Sequence, residues 1–175
     1  MTVMPSTAIQ AMDHTMTRLR IVVDAPFEAF RSRFELAVPP VDIARITGLV
    51  QKRATWEEMK SAVAANAPHA FMIYAAVDVK PLMVLAGHER RFVEYLMGNH
   101  VIAERMFRHD PAALLYAPLR VALYEDDGRT VFAIDQPSTV FAGFGDPAVA
   151  EVGLELDREL DALMVHLGVG PVTKR

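Results

Sequence analysis

The spacing of apolar residues along the chain predicts short strands that alternate with amphipathic helices. Leu19–Val23 is rich in β-branched residues, which is typical of a strand. Phe27, Phe30 and Phe34 then recur every three or four residues, which predicts a helix with one buried face. Pro26 would fall in the first turn of this helix, where its missing N–H costs nothing.

Two more helices are predicted in the next part of the chain. Thr55-Trp56-Glu57-Glu58 has the Thr-x-x-Glu form of a capping box, which begins a helix that we expect to run to about Asn66. The stretch Asp42–Lys52 before it predicts a helix whose apolar residues share one face, namely Ile43, Ile46, Leu49 and Val50.

The pattern then changes to one that favours β-structure. Phe71–Val79 is too apolar for a surface helix and predicts a buried strand, and Arg91–Met97 predicts a second strand. Asn99–Arg108 predicts a helix directly after that strand. Leu119–Tyr124 and Arg129–Ile134 flank a turn that contains Asp-Gly, which is a strong signal for a β-hairpin.

A long helix is predicted near the end of the chain. Asp146-Pro147 is typical of its start and Gly168 of its end. Its apolar stripe consists of Val149, Val152, Leu156, Leu160, Leu163 and Leu167. Paired strands with helices before and after them predict an α+β fold, an antiparallel sheet with helices packed mainly on one face.

The domain organisation follows from where these patterns begin and end. We expect a flexible N-terminal tail over residues 1–16, one domain over residues 17–170, and a short tail over residues 171–175. Met16 is a candidate alternative start. A chain of 175 residues is long enough to bury one sizeable core.

Composition excludes several chemistries. The absence of cysteine rules out disulfides, thiolate metal sites and cysteine nucleophiles. A net charge of −4 with interleaved signs gives no basic stripe for nucleic acid. Because no apolar run approaches the ~20 residues of a membrane helix and no secretory signal pattern occurs, we expect a cytoplasmic protein without a membrane partner.

The corner Gly98-Asn99-His100 is the candidate site with the most features. A strand that ends there and turns into a helix points backbone N–H groups outward, which favours an anion, and His100 adds a titratable donor. The alternative interpretation is that Asn99 simply caps the helix. His109 lies nine residues after His100, about half a turn out of phase, so one helix cannot bring both to one metal.

The order of motifs resembles one known family. A strand that ends in Gly98-Asn99, a helix, Asp110-Pro111, the stretch Ala117–Asp126, a glycine turn and Asp135–Ser138 together resemble the DUF302 family of domains of unknown function. The resemblance implies a TBP-like α+β domain that commonly forms homodimers, without implying DNA binding. It supplies no reaction, and His100 stands where the family often has proline.

Three functional hypotheses are consistent with these residues. The first is a dimeric domain that binds a small polar or anionic molecule through Gly98, Asn99, His100 and Arg120, a strand arginine suited to anchoring a carboxylate or phosphate. The second is a small-molecule isomerase, lyase or hydrolase in which His100 and Glu104, one helical turn apart, form an acid–base pair. The third is a haem or metal module that shares histidines across a dimer; the sequence itself assigns no cofactor and no metal ligand set.

Overall fold

A five-stranded antiparallel sheet organises the computed structural model, which describes residue 9 and residues 11–174. Its order is β1-β5-β4-β3-β2, and every neighbouring pair is antiparallel. The strands are β1 (Arg18–Val23), β2 (Met72–Asp78), β3 (Phe92–Gly98), β4 (Leu119–Asp126) and β5 (Arg129–Asp135).

Helices fill the connections between these strands. They are α1 (Phe27–Ala37), α2 (Ile43–Gln51), α3 (Trp56–Asn66), α4 (Lys80–Leu85), α5 (His100–Phe107), α6 (Pro137–Ala142) and α7 (Pro147–His166), with a 3-10 helix at Pro111–Tyr116. The predicted α+β class and the long C-terminal helix are confirmed. The sequence patterns do not predict α4, α6 or the 3-10 helix, because each has only six residues and therefore too few turns to show a period. No described helix combines the length and the apolar character that crossing a bilayer requires.

The main core lies between one face of the sheet and helices α1, α6 and α7. Phe30 and Phe34 of α1 are fully buried and meet Phe132 of β5 edge-on, with ring centroids 6.3 and 5.7 Å apart. The predicted apolar stripe is buried along its whole length, through Val149, Val152, Leu156, Leu160 and Leu163 of α7 and Leu167 directly after it. This core includes Met97 at the end of β3 and Leu119 at the start of β4, next to the point where α5 begins.

Two apolar stretches are less buried than their sequences predict. In α2 only Leu49 is buried, whereas Ile43 and Val50 are 59% and 65% exposed, because α2 packs against α3 rather than on the sheet. β2 lies at the edge of the sheet, and only its first half is buried, so Val77 is exposed. Apolar character alone does not distinguish an edge strand from a central one.

The described residues at both ends of the chain contact the domain. His14 lies edge-on against Tyr116, with ring centroids 5.9 Å apart. The backbone N–H groups of Val172 and Thr173 donate to Asp161 Oδ1 at 2.6 and 2.9 Å. Residues 1–8, 10 and 175 of the predicted tails lie outside the described residues, and the domain boundaries stay a prediction.

Candidate functional site

The corner between β3 and α5 is built around the side chain of Asn99. Its Oδ1 accepts hydrogen bonds from the backbone N–H groups of Val101 at 2.9 Å and Ile102 at 3.3 Å. Its Nδ2 donates to the carbonyl oxygen of Ala70 at 2.8 Å, which ties the corner to the loop before β2. Asn99 therefore caps the helix, and it occupies N–H groups that an anion would need.

His100 is the first residue of α5 and meets Tyr74 of β2. The pairing of β2 with β3 shifts register between Ile73 and Ala75, which leaves Tyr74 in a bulge opposite the end of β3. A bulge redirects a side chain relative to the regular alternation of a strand. Here it brings the Tyr74 hydroxyl into a hydrogen bond with His100 Nδ1, and the two ring centroids lie 5.1 Å apart.

Burial disfavours the charged form of both partners. It lowers the pKa of His100 below its ordinary value of 6.5, so the imidazole is neutral at pH 7. Burial likewise raises the pKa of Tyr74, and the backbone N–H of His100 opposes this rise in part. The pair at neutral pH therefore consists of a protonated phenol and an uncharged imidazole.

A cavity of about 340 Å³ opens beside this pair, and we name it the α5 cavity. His100, Tyr74, Asn99 and Glu104 supply its polar groups. The rest of its wall is apolar and reaches into the main core; it includes Ile102, Met106, Leu114, Leu119, Phe141 and Leu156. This combination of a mostly apolar wall and a few polar groups is typical of a small-molecule site.

Glu104 lines the α5 cavity, but its carboxylate is held by another residue. Arg108, one turn further along the chain, donates to Glu104 Oε1 from Nε at 3.2 Å and to Oε2 from Nη2. Among the described residues, no hydrogen bond joins Glu104 to His100. The predicted pairing of His100 with Glu104 is thus replaced in the structure by two separate pairs, His100 with Tyr74 and Glu104 with Arg108.

Arg120 does not line the α5 cavity. Residues alternate between the two faces of a strand. On β4 the buried side belongs to Leu119 and Val121, so Arg120 emerges on the other face, where it pairs with Glu94 at 3.3 Å and its side chain is 78% exposed. Gly98, Asn99 and His100 all line the α5 cavity, whereas Arg120 does not, and the predicted role of these residues in binding stays a prediction.

Among residues 9 and 11–174, no group of three or more His, Asp or Glu residues could hold a metal ion. His109 lies exposed beyond the end of α5 and is not part of the α5 cavity.

Tyr74 is the site residue that the sequence patterns do not reveal. It lies inside the apolar run Phe71–Val79, where an aromatic residue reads as part of a buried strand. Its hydroxyl indicates only that a partner exists, since a buried phenol usually finds a hydrogen-bond partner. Identifying that partner as His100 requires the register of β2 against β3 and the position of the bulge.

Comparisons with known proteins point to one family. The family described as "Domain of unknown function DUF302" matches residues 50–167. A solved structure, the crystal structure of an uncharacterized conserved protein DUF302 from Bacillus stearothermophilus, aligns with a TM-score of 0.61 at 15% identity, over 86% of this chain and 97% of the other. That similarity extends to the fold alone. No curated protein matches the chain.

Proposed function

The chain belongs to the DUF302 family, and we propose that in this member the α5 cavity binds a small, mostly apolar and uncharged molecule. The observation that carries the proposal is the cavity itself, about 340 Å³ with a mostly apolar wall and with His100 among its few polar groups. Small-molecule sites start at about 300 Å³ and orient their ligands with a few polar groups.

The charges around the cavity favour an uncharged ligand over the anion that the sequence suggests. Among the described residues that line it, Glu104 is the only one with a formal charge, and Arg108 neutralises it. Arg120 points to the other face of the sheet, and Asn99 fills the helix N-terminus. An anion bound here would lose its hydration without gaining a cationic partner.

Filling the cavity tests this proposal. Ala103 of α5 lines the cavity, and Ala103→Leu adds bulk to its wall. Broadening of the fluorine NMR line of 4-fluoroethylbenzene reports its binding. We expect this probe to bind the natural protein and to bind the variant at least about tenfold more weakly, because the added side chain occupies the space that the probe needs.

Ala65→Leu is the matched control, because Ala65 is exposed on α3 and is not part of the cavity. This variant should bind the probe like the natural protein. Absence of binding to the natural protein, or equal binding to both variants, would overturn the proposal.

The enzymatic alternative has weaker support. A proton-transfer pair requires both groups to be available to the substrate. His100 and Glu104 both line the α5 cavity, but the carboxylate of Glu104 is engaged by Arg108. These contacts favour binding over catalysis.

Two further expectations concern the whole protein. The family resemblance and an apolar fraction of 52% support a homodimer, which light scattering at micromolar concentration measures directly. The absence of cysteine is consistent with a cytoplasmic location, which cell fractionation tests.

A further inference from the structure

We infer that Tyr74 holds His100 in the tautomer with its proton on Nε2, so that the α5 cavity selects neutral molecules carrying a hydrogen-bond acceptor such as a carbonyl oxygen. This inference rests on the proposed function of the cavity. Beyond that function, it assigns the ligand a hydrogen-bond acceptor and assigns Tyr74 the role of setting the preference for such ligands.

The hydrogen bond between Tyr74 and His100 has a defined direction. Among the described side chains, the Tyr74 hydroxyl forms its hydrogen bond with His100 Nδ1. A phenol has one proton to donate, and the unprotonated nitrogen of a neutral imidazole is the stronger acceptor of the two groups. The hydroxyl of Tyr74 therefore donates, and Nδ1 of His100 accepts.

The tautomer follows from this direction. A neutral imidazole carries one N–H, and the hydrogen bond made by one ring nitrogen decides the protonation of the other. Because Nδ1 accepts from Tyr74, the proton of His100 resides on Nε2.

Nε2 is also the ring nitrogen that remains available. It makes no hydrogen bond within the described residues, and none of their fully buried side-chain N or O atoms lacks a partner. Nε2 is therefore accessible rather than enclosed, on a ring that forms part of the cavity wall. An accessible N–H in the wall of a mostly apolar cavity is satisfied by an acceptor oxygen on the ligand.

The lining disfavours other polar groups on the ligand. Both polar side-chain atoms of Asn99 are engaged, Oδ1 in the helix cap and Nδ2 in the bond to Ala70. The carboxylate of Glu104 is held by Arg108. A ketone, aldehyde, ester or amide with a small apolar body fits this arrangement better than a carboxylate does.

Three probes of nearly equal shape test the ligand class by fluorine NMR titration. We expect 4-fluoroacetophenone to bind roughly fivefold more tightly than 4-fluoroethylbenzene, the range of one neutral hydrogen bond, and 4-fluorobenzoate to bind most weakly. Equal affinities of the ketone and the hydrocarbon would overturn the inference and leave the proposed function standing. Failure of all three probes to bind would overturn both the inference and the proposed function. If the benzoate bound most tightly, the conclusion that the ligand is neutral would be overturned.

The role of Tyr74 is tested by side-chain nitrogen NMR at pH 7.5, with the His100 signals assigned through His100→Gln. We expect the natural protein to show His100 protonated on Nε2. Tyr74→Phe should yield a mixture of tautomers and remove most of the preference for the ketone. Tyr124→Phe also removes one hydroxyl, but on the far side of β4, where Tyr124 accepts from Arg20, and it should change neither property.

A His100 protonated on Nδ1 in the natural protein would overturn the inference, whether or not Tyr74→Phe folds.

Discussion

At the scale of single residues, burial and hydrogen bonds decide which form of each histidine the fold accepts. His69, in the loop before β2, lies against His166 at the end of α7, with ring centroids 3.9 Å apart. Burial lowers the pKa of His69, and the charge of His166 lowers it further. Burial alone lowers the pKa of His100. The folded protein therefore favours the neutral form of both His69 and His100.

The free energy of unfolding should consequently fall as the pH drops below about 6.5, the ordinary histidine value. The unfolded chain binds protons at a higher pH than the folded chain, so acid favours unfolding. Urea unfolding at pH 7.5 and 5.5 measures how steeply the free energy of unfolding changes with pH, and His69→Asn should make this dependence shallower. Identical slopes in the two proteins would contradict this assignment.

At the scale of elements, turns and caps fix how the strands and helices meet. The β4–β5 hairpin forms where Asp-Gly predicts it, and both turn residues are left-handed, with φ of 50° at Asp127 and 73° at Gly128. The capping box of α3 is complete, because Thr55 and Glu58 satisfy each other's backbone N–H groups. These signals are local, and the sequence alone therefore predicts them well.

Gly128→Ala should lower the free energy of unfolding by about 1–2 kcal/mol, because its Cβ is strained in the left-handed region while nothing crowds it within 4 Å. Gly48→Ala is the matched comparison. Gly48 is also uncrowded but lies inside α2, so alanine should stabilise the protein by about 1 kcal/mol. Urea unfolding of both variants checks the opposite signs, and effects of equal sign would contradict the explanation.

At the scale of the whole molecule, Gln136 connects segments that are distant along the chain. It is only 2% exposed and follows β5 directly. Its Nε2 donates to Asp157 Oδ2 of α7 at 2.7 Å and to the carbonyl oxygen of Lys174 at 2.9 Å. Its backbone N–H donates to the carbonyl oxygen of Thr17 at 2.8 Å. One residue thus connects the segment before β1 and the C-terminal segment to the long helix.

Gln136→Glu should destabilise the protein by about 3 kcal/mol at pH 7, because it places a second carboxylate beside Asp157 and removes a donor. The like charge and burial raise the pKa of the new glutamate in the folded state. The variant is therefore destabilised above that pKa, and its free energy of unfolding recovers as the pH falls through it.

Gln136→Met is the control for this prediction, because it removes the hydrogen bonds without adding charge. Its deficit relative to the natural protein should not change between pH 7 and 4.5 in urea unfolding. A deficit of Gln136→Glu that is equally independent of pH would contradict the charge argument.

The candidate site was predictable only in part. The corner Gly98-Asn99-His100 is contiguous in sequence, so its place at the start of α5 follows from local signals. Tyr74 joins it through a bulge in β2, and Arg120 leaves it because of the strand face on which it lies. Spacing along the chain does not report either relation.

The sequence by itself therefore determined the α+β class, the β4–β5 hairpin, the cap of α5 and the buried stripe of α7, because each depends on the conformation or periodicity of neighbouring residues. Only the tertiary structure decided that α2 exposes most of its apolar face, that Tyr74 bonds to His100, and that an apolar cavity opens between them and the core. These features depend on strand register and on which surfaces meet, and such contacts join residues that lie far apart in the chain.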